Sequence, residues 1–421
     1  MRFTALVLLL LMSALAGSAA EPPPTLPDNT SMHGKVLAGY QGWAAPTIEG
    51  TGLKWIHLGD GGRFEPGHCV IDLWPDVSDL PQDQRVPTAF KHADGSTAYV
   101  FSPADPKTVD RHFEWMRTYG IDGVFLQRFG GSVASPQINK HLQRVLDNVR
   151  AAAKNQGRLW AVMYDLSGLR RGRIASVVMP DWKRLVTEQH VRDDATYLRH
   201  NGKPVVTVWG IGFNDRRDYT LQECLELVRF LKSDPQVGGN TVMVGVPYYW
   251  REQNRDALKD PLLHQVIQES DVVSPWAVGR FGRPEQLAKI QTDVIEPDLR
   301  WCRDHKVDYL PVIFPGFSWH NLQKTRGRES PVDQIPRRGG QFLWSQAVAA
   351  RRAGADMAYV AMFDEIDEGT AIFKLSTDPP VGASPFVHLD VPRSDHYLWL
   401  SGQIGRLMRN QIPPTDAIPT R

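Results

Sequence analysis

Cysteine is scarce: there are three in 421 residues, Cys69, Cys224 and Cys302. At most one disulfide can form, and no C-x-x-C spacing offers a zinc site or a redox pair. Cys224 and Cys302 fall inside helical patterns and read as buried thiols. An excess of either charge is equally lacking: 48 Lys and Arg face 47 Asp and Glu, for a formal net charge of +1. No basic stripe or run breaks that balance, which removes the electrostatic footprint of a nucleic-acid binder. No G-x-G-x-x-G follows the first apolar run, and no P-loop occurs anywhere, so the Gly-rich phosphate cradles of nucleotide-dependent enzymes are missing. No cofactor is expected. Beyond residue 20 no apolar stretch approaches the ~20 residues that span a bilayer.

The one continuous apolar run lies at the start. Arg2 precedes residues 6–11, all Leu or Val, and Ser18-Ala19-Ala20 supplies small residues at the spacing of a signal-peptidase site. Residues 1–20 read as a cleaved signal peptide, and no Cys follows to carry a lipid anchor. Residues 21–34, with Pro22-Pro23-Pro24 and Pro27, read as a linker. A secreted or periplasmic protein is expected, with residues 35–421 forming a single domain.

Within that domain apolar, β-branched runs alternate with amphipathic stretches. Strands are expected at residues 35–43, 122–129, 159–165, 204–209, 241–248, 272–276, 309–314 and 357–363. A Gly-, Pro- and Asp-rich insertion at 44–97 follows the first, with a short strand at 98–102. Helices are expected at 106–119, 135–155, around 186–199, and at 221–231, 284–305, 340–353 and 395–408. Eight near-continuous apolar strands, most followed by helical sequence, are the pattern of a parallel (β/α)8 TIM-type barrel with a long insertion after the first strand. A doubly wound open sheet rarely needs so many units.

Such a barrel gathers its functional residues at the carboxyl ends of the strands. Those ends carry Tyr40, Gln41 and Trp43; Gln127 and Arg128; Tyr164 and Asp165; Trp209; Tyr248, Tyr249 and Trp250; Trp276; Trp319 and His320. The last strand ends in Asp364-Glu365-Ile366-Asp367-Glu368-Gly369-Thr370. Aromatic and polar groups at almost every strand end suit a saccharide cleft, because aromatic rings cover the flat C–H faces of sugars. Trp43, Trp209, Tyr248, Trp276 and Trp319 are the expected platforms, while about half of the 13 Trp should be core.

Four carboxylates in five residues repel one another, an arrangement that is costly unless something uses it. Glycoside hydrolysis needs one protonated carboxyl for the leaving oxygen and a second carboxylate as base or nucleophile. Glu365 and Glu368 reach one cleft if the chain turns between them and diverge if it stays extended. A solvated acidic loop is one alternative. A Ca²⁺ site through Asp364 and Asp367 is another, although the D-x-D-x-D-G spacing is absent. Two further classes stay open: a non-catalytic glycan-binding barrel, and a metal-dependent hydrolase drawing on His57, His320 and Asp165.

Phe363-Asp364-Glu365-Ile366-Asp367-Glu368-Gly369-Thr370 resembles the F-N-E-W-H-E-G-T segment of glycoside hydrolase family 99, the endo-α-mannosidases and endo-mannanases, and in particular the bacterial secreted family 71/99-like group. Gly39-Tyr40-Gln41-Gly42-Trp43, Trp55-Ile56-His57 and residues 112–129 are similar to other blocks of that family. The resemblance implies an oligo- or polysaccharide substrate of α-mannoside type, with Glu368 as general acid/base and Glu365 as the base that deprotonates the sugar 2-hydroxyl. A 1,2-anhydro sugar then forms and opens with retention of configuration. Tyr40, Trp43, His57, Gln127, Arg128, Asp165, Trp209, Tyr248, Tyr249, Trp276, Trp319, Asp364 and Asp367 are the expected substrate-binding residues. Asp364 stands where the family has Asn, and Ile366-Asp367 where it has Trp-His. The added charges raise the pKa of neighbouring carboxyls.

Overall fold

A computed structural model describes residues 25–421; the expected signal peptide and the first residues of the linker lie outside the described residues. β1 (Val36–Tyr40) opens the barrel. The insertion behind it holds two antiparallel hairpins, β2 (Ala45–Thr47) with β3 (Lys54–Ile56) and β4 (Val86–Lys91) with β5 (Thr97–Val100). Next come β6 (Gly123–Phe129), β7 (Leu159–Asp165), the two-residue β8 (Arg199–His200) and β9 (Lys203–Trp209). The chain continues through β10 (Thr241–Pro247), β11 (Val272–Trp276), β12 (Asp308–Tyr309), β13 (Val312–Ile313) and β14 (Ala358–Val360).

The main sheet runs β12-β11-β10-β9-β7-β6-β1-β14-β13, with every neighbouring pair parallel. β12 and β13 are two halves of one strand, interrupted at Leu310-Pro311, where proline has no N–H for the ladder. Leu310 N–H still donates to Val273 O (2.9 Å) on one side, and Tyr359 N–H donates to Pro311 O (3.0 Å) on the other. The seventh strand therefore bridges the sixth and the eighth, and the sheet closes into the eight-stranded barrel. Burial on both faces accounts for the apolar runs that marked these strands.

Side-chain phase inside the barrel is set by contacts across its axis. Phe125 packs edge-on against Tyr359 at 5.3 Å, and Gln127 Nε2 donates to the Tyr359 hydroxyl (3.2 Å). A Cβ on Gly39 would lie 2.0 Å from Met362 Cε, so the Met362 side chain occupies the space that a larger residue at this inward position of β1 would take. Tyr40, the next residue, consequently faces the outer helices.

Helices Pro106–Tyr119, Pro136–Gln156, Leu221–Ser233, Gln341–Ala353 and His396–Met408 match their expected positions closely. The first starts on an Asp105 cap with Pro106 at its first turn, and Thr220 and Glu223 form a capping box on the third. The helix expected around 186–199 is instead Met179–Thr187. Arg199 and His200 fold back on Lys203 and Pro204 through Asn201 (φ 51°) and Gly202 (φ 76°), the two positive-φ residues that an Asn-Gly hairpin turn requires. The long segment 284–305 is helical but passes through a π-turn, Gln291–Ile295, just before Pro297. Helix Leu262–Glu269 follows β10, where the sequence pattern marked none. All three cysteines are buried and free. Among the described residues no helix is long and apolar enough to cross a membrane.

Candidate active site

The acidic segment leaves β14 and doubles back on itself. Thr370 and Ala371 N–H both donate to Glu365 O (3.1 and 2.8 Å), and Ile372 N–H donates to Met362 O (3.1 Å). Gly369 takes φ 67°, and a Cβ there would come within 2.7 Å of Ser318 N. Buried Arg337 donates to the Gly369 and Ala371 carbonyls (2.8 and 2.7 Å). On the other flank Asp72 N–H reaches Ile366 O, and Ser318 N–H reaches Glu368 O, both at 3.0 Å. The fully buried Asp72 carboxylate ties these flanks together by accepting from Ser318 Oγ (2.5 Å), His320 N–H (2.6 Å) and Asn321 N–H (2.8 Å). The insertion and the loop after β13 thus clamp the segment in its turned form.

In that turn Glu365 and Glu368 interact strongly. Glu365 is buried; its Oε1 accepts from Gln41 Nε2 (2.6 Å) and its Oε2 from Thr370 Oγ1 (2.5 Å). Burial, then the charges of Glu368 and Asp367, hold its carboxyl well above the usual range. Glu368 is half-buried, and among the described residues no hydrogen-bond donor meets its carboxyl group. Burial first and the Asp367 charge second push it up to about 7, with Arg326 pulling the other way and Asp165 adding to the rise. Burial also lifts Asp165, at the end of β7, to about 6, although Ser167 N–H donates to it at 2.7 Å.

The two remaining acids hold backbone and histidine. Asp364 accepts from Gln41 N–H (2.8 Å) and Gly42 N–H (2.7 Å), one on each oxygen, and burial pushes it up to about 6. It fixes the loop that aims Gln41 at Glu365. Asp367 Oδ2 lies 3.1 Å from His57 Nδ1. The His57 ring stacks on Trp43 at 3.7 Å, and Trp43 stacks on Phe129 at 4.8 Å. Across the mouth, Trp209 and Trp276 meet edge to face at 5.2 Å, both half-buried. Trp209 lies across the neighbouring strand, where a Cβ on Gly245 would approach its Cδ1 at 2.5 Å. Trp319 is half-buried beside Ser318, edge-on to Phe317.

Several expected rim residues lie elsewhere. Tyr40 is fully buried outside the barrel, with its hydroxyl 3.0 Å from His112 Nδ1. Arg128 also faces outward: its guanidinium donates two parallel hydrogen bonds to Asp181 (2.9 and 2.8 Å), to which the Tyr164 hydroxyl also donates. Tyr248 is core, packed on Phe281, and Trp250 is core against Trp301. These residues adjoin strand ends, but period-two alternation turns them away from the axis. Tyr249 is half-buried under Arg255 (4.2 Å) and lines a groove together with Arg280 and Arg283.

Thr370, Tyr359, Ser167 and Arg217 were assigned no binding or catalytic role from sequence, and Gln41 only a place at the rim. Gln41 and Thr370 immediately follow the first strand and the acidic residues, which was the available signal. Arg217 covers the Trp209 ring at 5.0 Å, is held by Asp215 (2.8 Å) and lowers the Asp165 pKa.

The donor sets argue against a hard cation in the acidic turn. Asp364 and Glu365 turn both oxygens, and Asp367 one, toward N–H or O–H donors, where Ca²⁺ would need oxygens free of them. His320 is likewise engaged, with Nδ1 2.5 Å from Ser330 O. Among the described residues the group with metal-ligand proximity is His33, His200 and Asp308, at the opposite end of the barrel. There His200 accepts from Met32 N–H at Nδ1 (3.0 Å), so its Nε2 carries the proton and donates to Asp308 (2.8 Å). That set is complete as a hydrogen-bond network and does not fit an ion without losing those bonds.

No family model matches the chain, and no curated protein matches it in sequence. Solved structures do. A GH99 endo-alpha-mannosidase from Bacteroides thetaiotaomicron, in complex with bis-tris-propane, has a TM-score of 0.60 at 15% identity, covering 90% of this chain and 99% of that one. A second structure of GH99 endo-alpha-mannosidase from the same organism gives a TM-score of 0.59 at 15% identity over the same shares. A glycoside hydrolase-like protein gives 0.53 at 12% identity, covering 91% and 97%. These likenesses establish a GH99-like barrel fold.

Proposed function

We propose that this chain is an exported glycoside hydrolase that cleaves an oligo- or polysaccharide with retention of configuration, using Glu368 as general acid/base and Glu365 as its partner. The observation that carries the reading is the asymmetric carboxyl pair at the barrel mouth. Glu365 is buried between the Gln41 and Thr370 donors, while Glu368 stands half-open and stays protonated up to about pH 7. Both carboxyls hold their protons more tightly than an ordinary glutamate, and the pair gives up one of them near neutral pH. The productive arrangement puts the charge on Glu365, whose oxygens face donors, and the proton on Glu368.

Glu365 then takes the proton of the sugar 2-hydroxyl as O2 attacks the anomeric carbon. The glycosidic bond breaks, and Glu368 gives its proton to the leaving oxygen. Water then opens the 1,2-anhydro ring at the anomeric carbon, giving one proton to Glu368 and keeping the other as the new hydroxyl, while Glu365 returns to O2 the proton it took; the sum is hydrolysis. Trp209, Trp276 and Trp319 serve as ring platforms, while Trp43, stacked between His57 and Phe129, holds the wall beside them. An α-mannoside is the substrate class, supported by the acidic motif and by the activity named for the neighbouring folds.

A glycan-panel hydrolysis screen followed by two variants tests this. Glu368→Gln should lower turnover by about 10²- to 10⁴-fold, the usual contribution of acid–base catalysis, and less for substrates with good leaving groups. Glu365→Gln should slow every substrate. Near-normal rates in both would refute the pair. A covalent adduct of a 2-fluoro sugar on Glu365 would refute the anhydro route in favour of a direct nucleophile.

A further inference from the structure

His57 has an unusual setting for a half-exposed residue. It leaves β3 at φ 55°, a left-handed conformation that a side chain with a Cβ rarely adopts, and Trp55 two residues earlier has the same φ. Its ring is fixed from two directions. Trp43 holds the plane, stacked at 3.7 Å with only 8° between the rings. Asp367 holds the rotation about that plane through Nδ1 at 3.1 Å. Asp367 is 2% exposed, and its other oxygen, Oδ1, is buried without a partner. His57 is then the one side-chain donor to this carboxylate among the described residues. Asp367 is also next in sequence to Glu368 and acts electrically on both catalytic glutamates.

The chemistry of the ring follows. A carboxylate only accepts, so Nδ1 carries the hydrogen facing Asp367, and the neutral ring offers Nε2 purely as an acceptor. We propose that Asp367 is a positioning residue and His57 a specificity-determining one: together they present a fixed acceptor, Nε2, to a free hydroxyl of the sugar bound beside Glu368. The inference rests on the glycosidase reading above. It names the recognised group: a ring hydroxyl that must be a donor, so that a deoxy or O-methyl sugar at that position is rejected. The Asp at position 367, a departure from the family segment the sequence resembles, acquires a function through His57.

The tautomer is tested first, and needs no substrate. Nitrogen-15 NMR of histidine-labelled protein should show His57 protonated at Nδ1; an Nε2–H tautomer overturns the proposal. On the glycan that the panel identifies, mono-deoxy and O-methyl analogues are then compared with the parent sugar. At one ring position the wild-type protein should prefer the parent by about 10- to 100-fold in kcat/KM, the span of one well-placed hydrogen bond. His57→Ala should reduce that preference to about one, and Asp367→Asn, which lets the ring turn, should reduce it to a few-fold. His57→Gln, whose amide can donate to Asp367 and accept from the hydroxyl, should keep part of it even if the alanine variant folds poorly. An unchanged preference in Asp367→Asn and His57→Gln, with Glu368→Gln inactive, overturns this inference and leaves the glycosidase reading standing. Full rates in the Glu365 and Glu368 variants would instead remove the parent reading, whatever the tautomer.

Discussion

Replacing Glu368 by Gln should stabilise the folded protein above neutral pH while removing the proposed acid. The carboxyl moves from an ordinary 4.5 in the unfolded chain to about 7 in the fold, because burial and Asp367 disfavour its charge. Between those values the folded state binds a proton that the unfolded state releases, so stability falls as pH rises. The contribution is complete below about pH 4.5 and is lost as pH passes 7. At about 1.4 kcal/mol per pH unit the ceiling is ~3 kcal/mol. Solvent at the half-open mouth screens part of this, which leaves ~1–2 kcal/mol. Gln keeps the shape and carries no charge, and it also relieves the repulsion on Glu365. Urea unfolding of both proteins at pH 4.5, 6 and 8 should show no difference at the lowest pH and a variant more stable by ~1–2 kcal/mol at the highest. A variant that is less stable at pH 8, or a difference that does not change with pH, would refute the electrostatic account of this site.

Hydrolysis by the wild-type protein should decline above about pH 7 as Glu368 loses its proton, and Glu368→Gln should lack that limb; a wild-type profile flat to pH 9 contradicts the assignment. Trp209→Ala should raise KM with little loss of stability, whereas Tyr248→Ala, in the core, should cost ~3 kcal/mol of unfolding free energy; kinetics and thermal unfolding of the two would expose the reverse pattern. Asp364→Ala orphans the Gln41 and Gly42 N–H groups at ~1–3 kcal/mol each and releases Gln41 from Glu365, so kcat should drop more than KM rises. A change confined to KM would place Asp364 outside the catalytic support.

The barrel was legible because its strands are buried on both faces and so declare themselves as apolar runs, and because capping residues such as Asp105 and Thr220 mark helix starts directly. The seventh strand was legible as a run although Pro311 splits its ladder. The missed hairpin at Arg199–Lys203 carried its own signal in Asn201-Gly202, which the helical pattern over 186–199 obscured. Strand ends located the mouth, but not which side of the strand each residue takes. Gln127 and Arg128 are neighbours, yet one meets Tyr359 inside the barrel and the other Asp181 outside. Gly39 was the clue to phase in β1: a residue without a Cβ points at the axis where Met362 and Tyr359 crowd, and sends Tyr40 outward.

The departures of the acidic segment from the family motif it resembles each find a place in this structure, and none removes a glutamate. Asp364 meets two backbone N–H groups, one per oxygen, and an Asn would turn its own NH₂ toward one of them. Ile366 is 1% exposed and belongs to the core, so its position calls for an apolar side chain rather than a sugar contact. Asp367 takes His57 from a distant part of the insertion. The negative charge that the sequence concentrates here is therefore distributed over different tasks: Asp364 orders the backbone, and Asp367 orients an imidazole and raises the proton affinity of both glutamates. A general acid active near neutral pH needs that elevation. The cluster that is unfavourable as a loop is consistent as a site, because burial first and the Asp367 charge second keep the proton on Glu368.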